Sequence, residues 1–281
     1  MYLKNVLIAF LMFIFCSKNA NTFKSAQEYF LQAQEEYSTH SKLMLLDSVL
    51  LVDSNFTGAY LEKGNVYRKE KKFDSALLFI NQAIDKDPGN AYAYAIRGLT
   101  YAMQGRKESS LNDINTSISI DSSNGMGAYA YAVYYDKFLS NLQKANEYYK
   151  KAILHDSTIT EAYFYLAYNL HDEGKADSAY FLMKKIINKN PVIASFWSNF
   201  ALYAFDIGKK DEAFAAFDKA VLSDSLSYGT YFNRALTYLE VGDTTSAIED
   251  FNRYLRFAPY KDERKPAVRE KIIELGGTPK Y

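Results

Sequence analysis

Residues 194–227 read ASFWSNFALYAFDIGKKDEAFAAFDKAVLSDSLS, and the 34-residue pattern of this stretch returns along most of the chain. Blocks of that length begin at six positions, with one extra residue, Gly125, before the third block: Thr57, Ala91, Met126, Thr160, Ala194 and Tyr228. The fourth residue of every block is aromatic: Tyr60, Tyr94, Tyr129, Tyr163, Trp197 and Tyr231. A fixed period of this length is typical of small structural units that stack on one another.

Each block is predicted to form two helices joined by a turn. Tyr60, Gly64 and Tyr67 are spaced by four and three residues, which places them on one face of a first helix. Small residues at the eighth and twentieth places, such as Gly64 and Ala76, predict a close approach of the two helices. Glycine, which adopts a positive φ without strain, occupies the turn in four blocks: Gly105, Gly174, Gly208 and Gly242.

The start of the second helix is marked by an acidic residue. Asp74 and its equivalents Asp177 and Asp211 stand just before an apolar-periodic run. We expect these side chains to cap the free N–H groups of the second helix. Three of the five prolines, including Pro88, fall near its end, where proline stops a helix because it lacks the N–H donor.

This set of features resembles the tetratricopeptide repeat family, and the resemblance covers 57–261 in six blocks. It implies an all-α fold, a right-handed α-solenoid of helix-turn-helix repeats. The third block departs from the family pattern, because Asp136 stands at the eleventh place, where the family favours an aromatic residue. Since Tyr135 is its neighbour, we expect a one-residue shift or a bulge in that first helix.

The segments outside the six blocks have patterns of their own. Residues 23–56 agree weakly with the repeat and are interpreted as a degenerate first repeat. Val268, Ile272 and Leu275 form one apolar stripe among charged residues, which predicts a capping helix and tail over 262–281. Residues 1–22 are interpreted as a signal peptide and linker.

The amino terminus carries the only cysteine of the chain. Lys4 precedes an apolar run from Val6 to Cys16, and eleven residues cover about half of the ~30 Å bilayer core as a helix. The run resembles a bacterial lipoprotein signal, in which the cysteine is lipidated, so Cys16 is the predicted anchor. Ordinary cleavage after Ala20, giving a secreted or periplasmic protein, and a buried start are the alternatives.

Composition argues against several function classes. The 281 residues include 33 Lys plus Arg and 33 Asp plus Glu. This balance argues against sequence-independent binding of nucleic acid. A single Cys excludes an intramolecular disulfide and a multi-Cys zinc site. His40, His155 and His171 lack the helical spacing of a metal pair, and no glycine-rich phosphate loop is present. The sequence predicts no catalytic residues, no metal and no cofactor.

The resemblance also implies a binding surface, because the first helices of the family line a concave groove. Twelve residues map onto its inward places: Asn65, Arg68, Tyr92, Leu99, Tyr134, Lys137, Phe164, Tyr168, His171, Phe205, Phe232 and Leu236. Leu61 stands where the carboxylate-gripping version of the family has a Lys, so that function is not carried over. For Phe164, Tyr168, Phe232 and Leu236, packing between repeats and an exposed groove remain equal alternatives.

We therefore expect a non-catalytic adaptor that binds a protein or peptide in its groove. The resemblance implies a lipid-anchored protein of the bacterial envelope, on an outer membrane and facing the periplasm or the surface, that contacts the membrane through the anchor only. An accessory factor for outer-membrane or pilus assembly, and a self-associating structural solenoid, are the alternatives. The sequence leaves the partner and the oligomeric state open.

Overall fold

The computed structural model describes residues 24–187 and 193–281. The predicted signal peptide and its Cys16 lie outside these ranges. Within them every regular element is an α-helix, as the repeat pattern predicts. The chain divides into two compact units, Met1–Ser122 and Ser123–Tyr281.

The described part of the first unit, from residue 24 onward, contains three helix pairs. Its six helices are α1 (Ala26–Glu35), α2 (Thr39–Val52), α3 (Thr57–Lys69), α4 (Phe73–Lys86), α5 (Ala91–Met103) and α6 (Lys107–Ile120). The short connections make the two helices of each pair antiparallel neighbours. The α1–α2 pair buries Ala33, Leu46 and Val49 with Ala59 of the next pair, so the weakly matching segment packs as part of the same stack.

The described residues of the second unit form four helix pairs and a single final helix. Its elements are α7 (Gly125–Leu139), α8 (Leu142–His155), α9 (Thr160–Asp172), α10 (Ala176–Ile186), α11 (Ala194–Asp206), α12 (Lys210–Ser223), α13 (Tyr228–Glu240), α14 (Thr244–Phe257) and α15 (Lys265–Glu274). α15 buries Val268 and Ile272 against α13 and α14. Arg269 and Glu270 face solvent, which confirms the predicted capping helix.

The turn inside each block is made by its fifteenth residue. This residue has a positive φ in all six blocks: Lys71 (60°), Gly105 (79°), Ser140 (47°), Gly174 (77°), Gly208 (82°) and Gly242 (79°). The four glycines confirm the prediction for the turn. Lys71 and Ser140 adopt the same left-handed conformation with a Cβ atom, which is strained by about 1–2 kcal/mol.

The expected capping role of Asp74, Asp177 and Asp211 is wrong. The second helices already begin at Phe73, Ala176 and Lys210, so the aspartates lie inside the first turn. The preceding lysines make no side-chain capping hydrogen bond. Because the positive-φ residue reverses the chain by itself, helical geometry starts two residues after it. The aspartates still lie at the positive end of the helix dipole, where a carboxylate is favourable.

The third block accommodates its unusual sequence without a bulge. α7 is uninterrupted and begins one residue early, at the extra Gly125. Tyr135, at the tenth place, stacks on Tyr148 at 5.4 Å, whereas in the first block Tyr67, at the eleventh place, stacks on Phe79 at 5.5 Å. The predicted shift by one residue is therefore present in the packing of the side chains.

Small residues at the eighth place bring paired helices together. A Cβ atom on Gly64 would lie 2.6 Å from Cγ1 of Ile80, and one on Gly98 would lie 3.0 Å from Cγ1 of Ile114. Real Cβ atoms do not approach other carbons this closely, since dispersion turns to repulsion well before that distance. The predicted close approach of the helices is confirmed.

Two ion pairs at the seventh place, one partly buried and one buried, were not anticipated from the sequence. The guanidinium of Arg97 donates to both oxygens of Asp113, at 2.7 and 2.8 Å. Arg234 makes the same bidentate contact with Asp250, sixteen residues further on. A seventh-place arginine with an aspartate sixteen residues later is the sequence signal that would have revealed both pairs.

Candidate functional site

Four of the predicted groove residues lie on first helices of the first unit. Asn65 and Arg68 are half-buried on α3, and Nη2 of Arg68 donates to Oδ1 of Asn65 at 2.6 Å. Nη1 of Arg68 lies 3.6 Å from the sulfur of Met103. Tyr92 is half-buried on α5, and Leu99 of the same helix is 2% exposed. Arg68 therefore makes polar contacts with residues of both α3 and α5, whereas Leu99 belongs to the core.

α7 carries two more of the predicted residues, and they have opposite environments. Tyr134 is 5% exposed and packs against Phe138, with 5.3 Å between ring centroids. Lys137 is exposed on the same helix. Of the twelve predicted residues, Leu99 and Tyr134 are the two that the structure buries, because the ninth place of these blocks faces the neighbouring helices.

Three phenylalanines of the second unit combine packing with partial exposure. Phe164 stacks on Phe196 of the next block at 4.7 Å. Phe232 packs on Tyr254 at 5.3 Å. Phe205 is half-buried in the same apolar cluster as Phe164. The Phe164–Phe196 contact joins two consecutive repeats, whereas the Phe232–Tyr254 contact joins the two helices of one repeat.

The ninth residues of the last three blocks are apolar and lie on the solvent-exposed side of their first helices. We call Tyr168 on α9, Leu202 on α11 and Leu236 on α13 the apolar row. Tyr168 is 46% exposed, Leu236 is 41% exposed and Leu202 is half-buried. The structure thus assigns Tyr168 and Leu236 to the exposed surface, whereas Phe164 and Phe232 contribute mainly to packing.

A row of acids runs beside the apolar row. Asp172, Asp206 and Glu240 are all exposed, and each follows a member of the apolar row by four residues. Residues four apart lie on one helical face, with Cβ atoms about 5–6 Å from each other. We call these three residues the acidic row. None of the three is among the twelve groove residues predicted above, although an acid at the thirteenth place of three successive blocks was a readable signal.

His171 connects α9 to α11 within this surface. Its Nε2 lies 2.5 Å from Oδ2 of Asp206, and its ring centroid lies 4.6 Å from that of Tyr203. Tyr203 is 1% exposed, and its hydroxyl makes no hydrogen bond within the described part of the chain. Burial raises the pKa of this hydroxyl, and the negative charge of Asp172 adds to the effect.

Metal-ligating side chains do not converge in the parts of the chain that the structure describes. Within 24–187 and 193–281, no group of three or more His, Cys, Asp or Glu residues could hold a metal ion. In the same ranges, none of the helices combines the length and the apolar character needed to cross a membrane.

Two segments of the sequence identify the repeat family. Residues 61–120 and 198–262 match the profile of the tetratricopeptide repeat. The chain is a tetratricopeptide repeat protein. Its first helices, on which both rows lie, belong to the kind of repeat that binds protein partners. No curated protein matches this chain in sequence.

Solved tetratricopeptide-type structures have the same fold at low sequence identity. PilF of Pseudomonas aeruginosa is 15% identical with a TM-score of 0.60, over 76% of this chain and 97% of PilF. PilW, a type IV pilus biogenesis factor, is 18% identical with a TM-score of 0.59, over 75% of this chain and 97% of PilW.

A third similar structure is a monomeric mutant of IFIT1 solved with the cap analogue m7Gppp-AAAA. It is 14% identical with a TM-score of 0.69, over 93% of this chain, which spans 66% of the IFIT1 chain. At these identities the likenesses show a common fold.

Proposed function

We propose that this tetratricopeptide repeat protein is a non-catalytic scaffold that binds a peptide or helix of a protein partner on the first helices of its second unit. The observation that carries the proposal is the exposure of the apolar row. Tyr168 and Leu236 remain about half exposed, although neighbouring rings of the same helices are packed. Contiguous exposed apolar surface marks interaction sites, and an aromatic anchor contributes on the order of 2 kcal/mol to binding.

Rigidity of the supporting residues favours this surface as a binding site. Phe164 is held by stacking on Phe196, and Phe232 is held by a tilted ring contact with Tyr254. A surface that is ordered before binding loses little conformational entropy when a partner docks. The partner is thus expected to meet a preformed surface instead of inducing one.

The second part of the proposal concerns location. We propose that Cys16 is lipidated and anchors the protein in the bacterial envelope, on an outer membrane. The support is the sequence: a positive residue, a short apolar run and then the only cysteine of the chain. A secreted or periplasmic protein without the anchor is the alternative.

An accessory role in assembly of outer-membrane or pilus complexes is the second candidate function. The observation that favours it is the shared fold with PilF and PilW, each of which aligns over almost its full length. Self-association is a third candidate, and a sedimentation coefficient that rises with protein concentration would favour it.

The partner-binding proposal is tested by affinity capture from envelope fractions followed by mass spectrometry. Tyr168→Ala combined with Leu236→Ala truncates the apolar row. A matched control, Leu154→Ala with Leu222→Ala, truncates two side chains that are 80% and 85% exposed on second helices. We expect the first double variant to lose the partners and the control to retain them. Equal capture of partners by both double variants would contradict the proposal.

The anchor is tested by metabolic labelling with palmitate. We expect label in the wild-type chain and none in Cys16→Ser, which should also leave the membrane fraction. Equal incorporation into both chains, or none into either, would remove Cys16 as the anchor.

A further inference from the structure

Among the described residues, no Lys or Arg forms an ion pair with the acidic row. Lys175 is paired with Glu173 at 2.6 Å, and Lys209 contacts the hydroxyl of Tyr180 at 3.1 Å, on the side of the second helices. Glu240 makes no ion pair with any described residue. In the described part of the chain, the ion-pair contacts of the row are those of His171, with Asp206 and, at 4.0 Å, with Asp172. Three exposed carboxylates thus stand beside exposed apolar side chains with one imidazole among them.

The buried hydroxyl of Tyr203 is a second observation that indicates a ligand at this place. The ring of Tyr203 packs against that of His171, and its hydroxyl is close enough to Asp172, Asp206 and Tyr168 for their charges to act on it. A buried hydroxyl without a hydrogen bond is unfavourable, and such groups are uncommon in folded proteins. An incoming donor that displaces the imidazole from Asp206 would supply the missing partner.

The chemistry of the acceptors favours an organic cation over a metal ion. Two carboxylates and a phenol oxygen match the N–H donors of a guanidinium or an ammonium group. The three potential metal ligands His171, Asp172 and Asp206 do not converge on one point among the described residues. Tyr168, four residues before Asp172, adds an aromatic face on which such a cation can rest.

We propose that the apolar row and the acidic row together bind a partner segment that carries both apolar and basic side chains, with one Lys or Arg seated between Asp172, Asp206 and the hydroxyl of Tyr203. This inference rests on the proposed function and specifies the chemistry of the partner. The apolar side chains of the segment lie on Tyr168, Leu202 and Leu236. Its remaining basic residues face Glu240.

The geometry also sets the length of a suitable probe. Packed helices lie about 8–10 Å apart, so the rows span roughly 18 Å from α9 to α13. A helix of about 14 residues, at 1.5 Å per residue, covers that distance. The probe is a fluorescein-labelled helical peptide of this length with leucines on one face and lysines beside them. Its matched control carries glutamates in place of the lysines.

The test measures the dissociation constants of both peptides by fluorescence anisotropy on the full chain. We expect the lysine peptide to bind and the glutamate peptide to bind at least about tenfold more weakly. Asp172→Asn with Asp206→Asn should weaken the lysine peptide by about tenfold or more. Glu249→Gln, an exposed acid on α14 away from the first helices, should change its affinity less than about twofold.

Tyr203→Phe separates binding from folding. Removal of a hydroxyl that lacks a hydrogen bond should leave the melting temperature unchanged or higher. It should nevertheless weaken the lysine peptide severalfold. Loss of affinity accompanied by a lower melting temperature would show a structural role instead, and unchanged affinity would remove the hydroxyl from the site.

Failure of this inference can be told apart from failure of the proposed function. If the lysine and glutamate peptides bind alike, or if Asp172→Asn with Asp206→Asn binds like the wild-type chain, the cationic partner is ruled out. Loss of the captured partners with Tyr168→Ala and Leu236→Ala, but not with Asp172→Asn and Asp206→Asn, would support the scaffold function. That result would contradict only the proposal that the partner is basic.

Discussion

The guanidinium of Arg234 is bound by both carboxylate oxygens of Asp250, with Nε 2.6 Å from Oδ2 and Nη2 3.1 Å from Oδ1. The two side chains are 9% and 1% exposed. Nη1 of the same arginine donates to Asp218 of the preceding block at 2.8 Å. One arginine on α13 thus joins α14 of its own block to α12 of the block before it. The contact is part of the interface between repeats.

Asp250→Ala should be strongly destabilising, because it leaves the buried charge of Arg234 with one exposed partner. We expect the free energy of unfolding to fall by about 3–5 kcal/mol. The matched control is Glu274→Ala, which breaks an exposed pair with Lys271 and should cost less than about 1 kcal/mol. Urea unfolding followed by circular dichroism measures both changes. Similar losses in the two variants would contradict a special role for the buried pair.

Replacement of the non-glycine turn residues should stabilise the protein. Lys71 and Ser140 hold a positive φ, and relief of that strain is worth about 1–2 kcal/mol. The added freedom of the unfolded chain costs about 0.4–1 kcal/mol, so Lys71→Gly and Ser140→Gly should each gain roughly 0.5–1 kcal/mol.

The opposite substitution provides the control for the turn. Gly208 has a φ of 82° with open space around its Cα, so the effect of a Cβ there is conformational. After the same offset from the unfolded chain, Gly208→Ala should lower the free energy of unfolding by roughly 0.5–1 kcal/mol. Thermal unfolding of the three variants tests the sign of each change, and a destabilised Lys71→Gly would contradict the account of the turn.

The close approach at the eighth place predicts a different result for two helical glycines. Gly64→Val places a branched side chain against Ile80, so we expect a loss of about 1–3 kcal/mol from overpacking. Gly229 has no atom within 4 Å of an added Cβ, so Gly229→Ala should gain up to about 1 kcal/mol from helix propensity. Chemical denaturation distinguishes the two. A neutral Gly64→Val would mean that the helices can separate without cost.

Alkaline pH should weaken the second unit through Tyr254. Burial, together with the hydrogen bond that the hydroxyl donates to Asp262 at 2.7 Å, raises the pKa of Tyr254 to about 12 from the usual value near 10. The folded state therefore holds the proton more tightly than the unfolded chain. Its contribution to stability is complete below pH 10 and is lost as the pH rises from 10 to 12.

Tyr254→Phe should flatten the fall in stability over that pH range. Tyr260→Phe, whose ring is 95% exposed, should leave the fall unchanged. Urea midpoints measured from pH 9 to pH 12 test both variants. Parallel curves for wild type and Tyr254→Phe would show that this hydroxyl does not couple to folding.

The fold was predictable because the same constraint is repeated six times. A glycine at the turn, such as Gly174, and an aromatic residue at the fourth place, such as Trp197, act within one block. They therefore recur in the sequence at a fixed spacing. The starts of the second helices were predicted less well, since the side chain of Asp74 suggested a cap where the backbone of Lys71 already makes the turn. Local sequence therefore identified the elements more reliably than their first residues.

The candidate site was predicted in part. Its helices follow from the repeat register. The exposure of Tyr168 and Leu236 does not, because Leu99 and Tyr134 occupy the same ninth place and are buried. The difference depends on the side chains of the neighbouring helices, which the local sequence pattern does not contain. The contact of His171 with Asp206 spans 35 residues and had no local signal.

The sequence by itself determined the repeat, its helical register and the turn between the helices, because these depend on residues within one block. Tertiary structure decided which ninth-place side chains reach solvent, that Tyr203 is buried without a hydrogen bond, and that Arg234 joins two blocks. Burial and ion pairing depend on the distances between helices, and side-chain volumes in several blocks set those distances together.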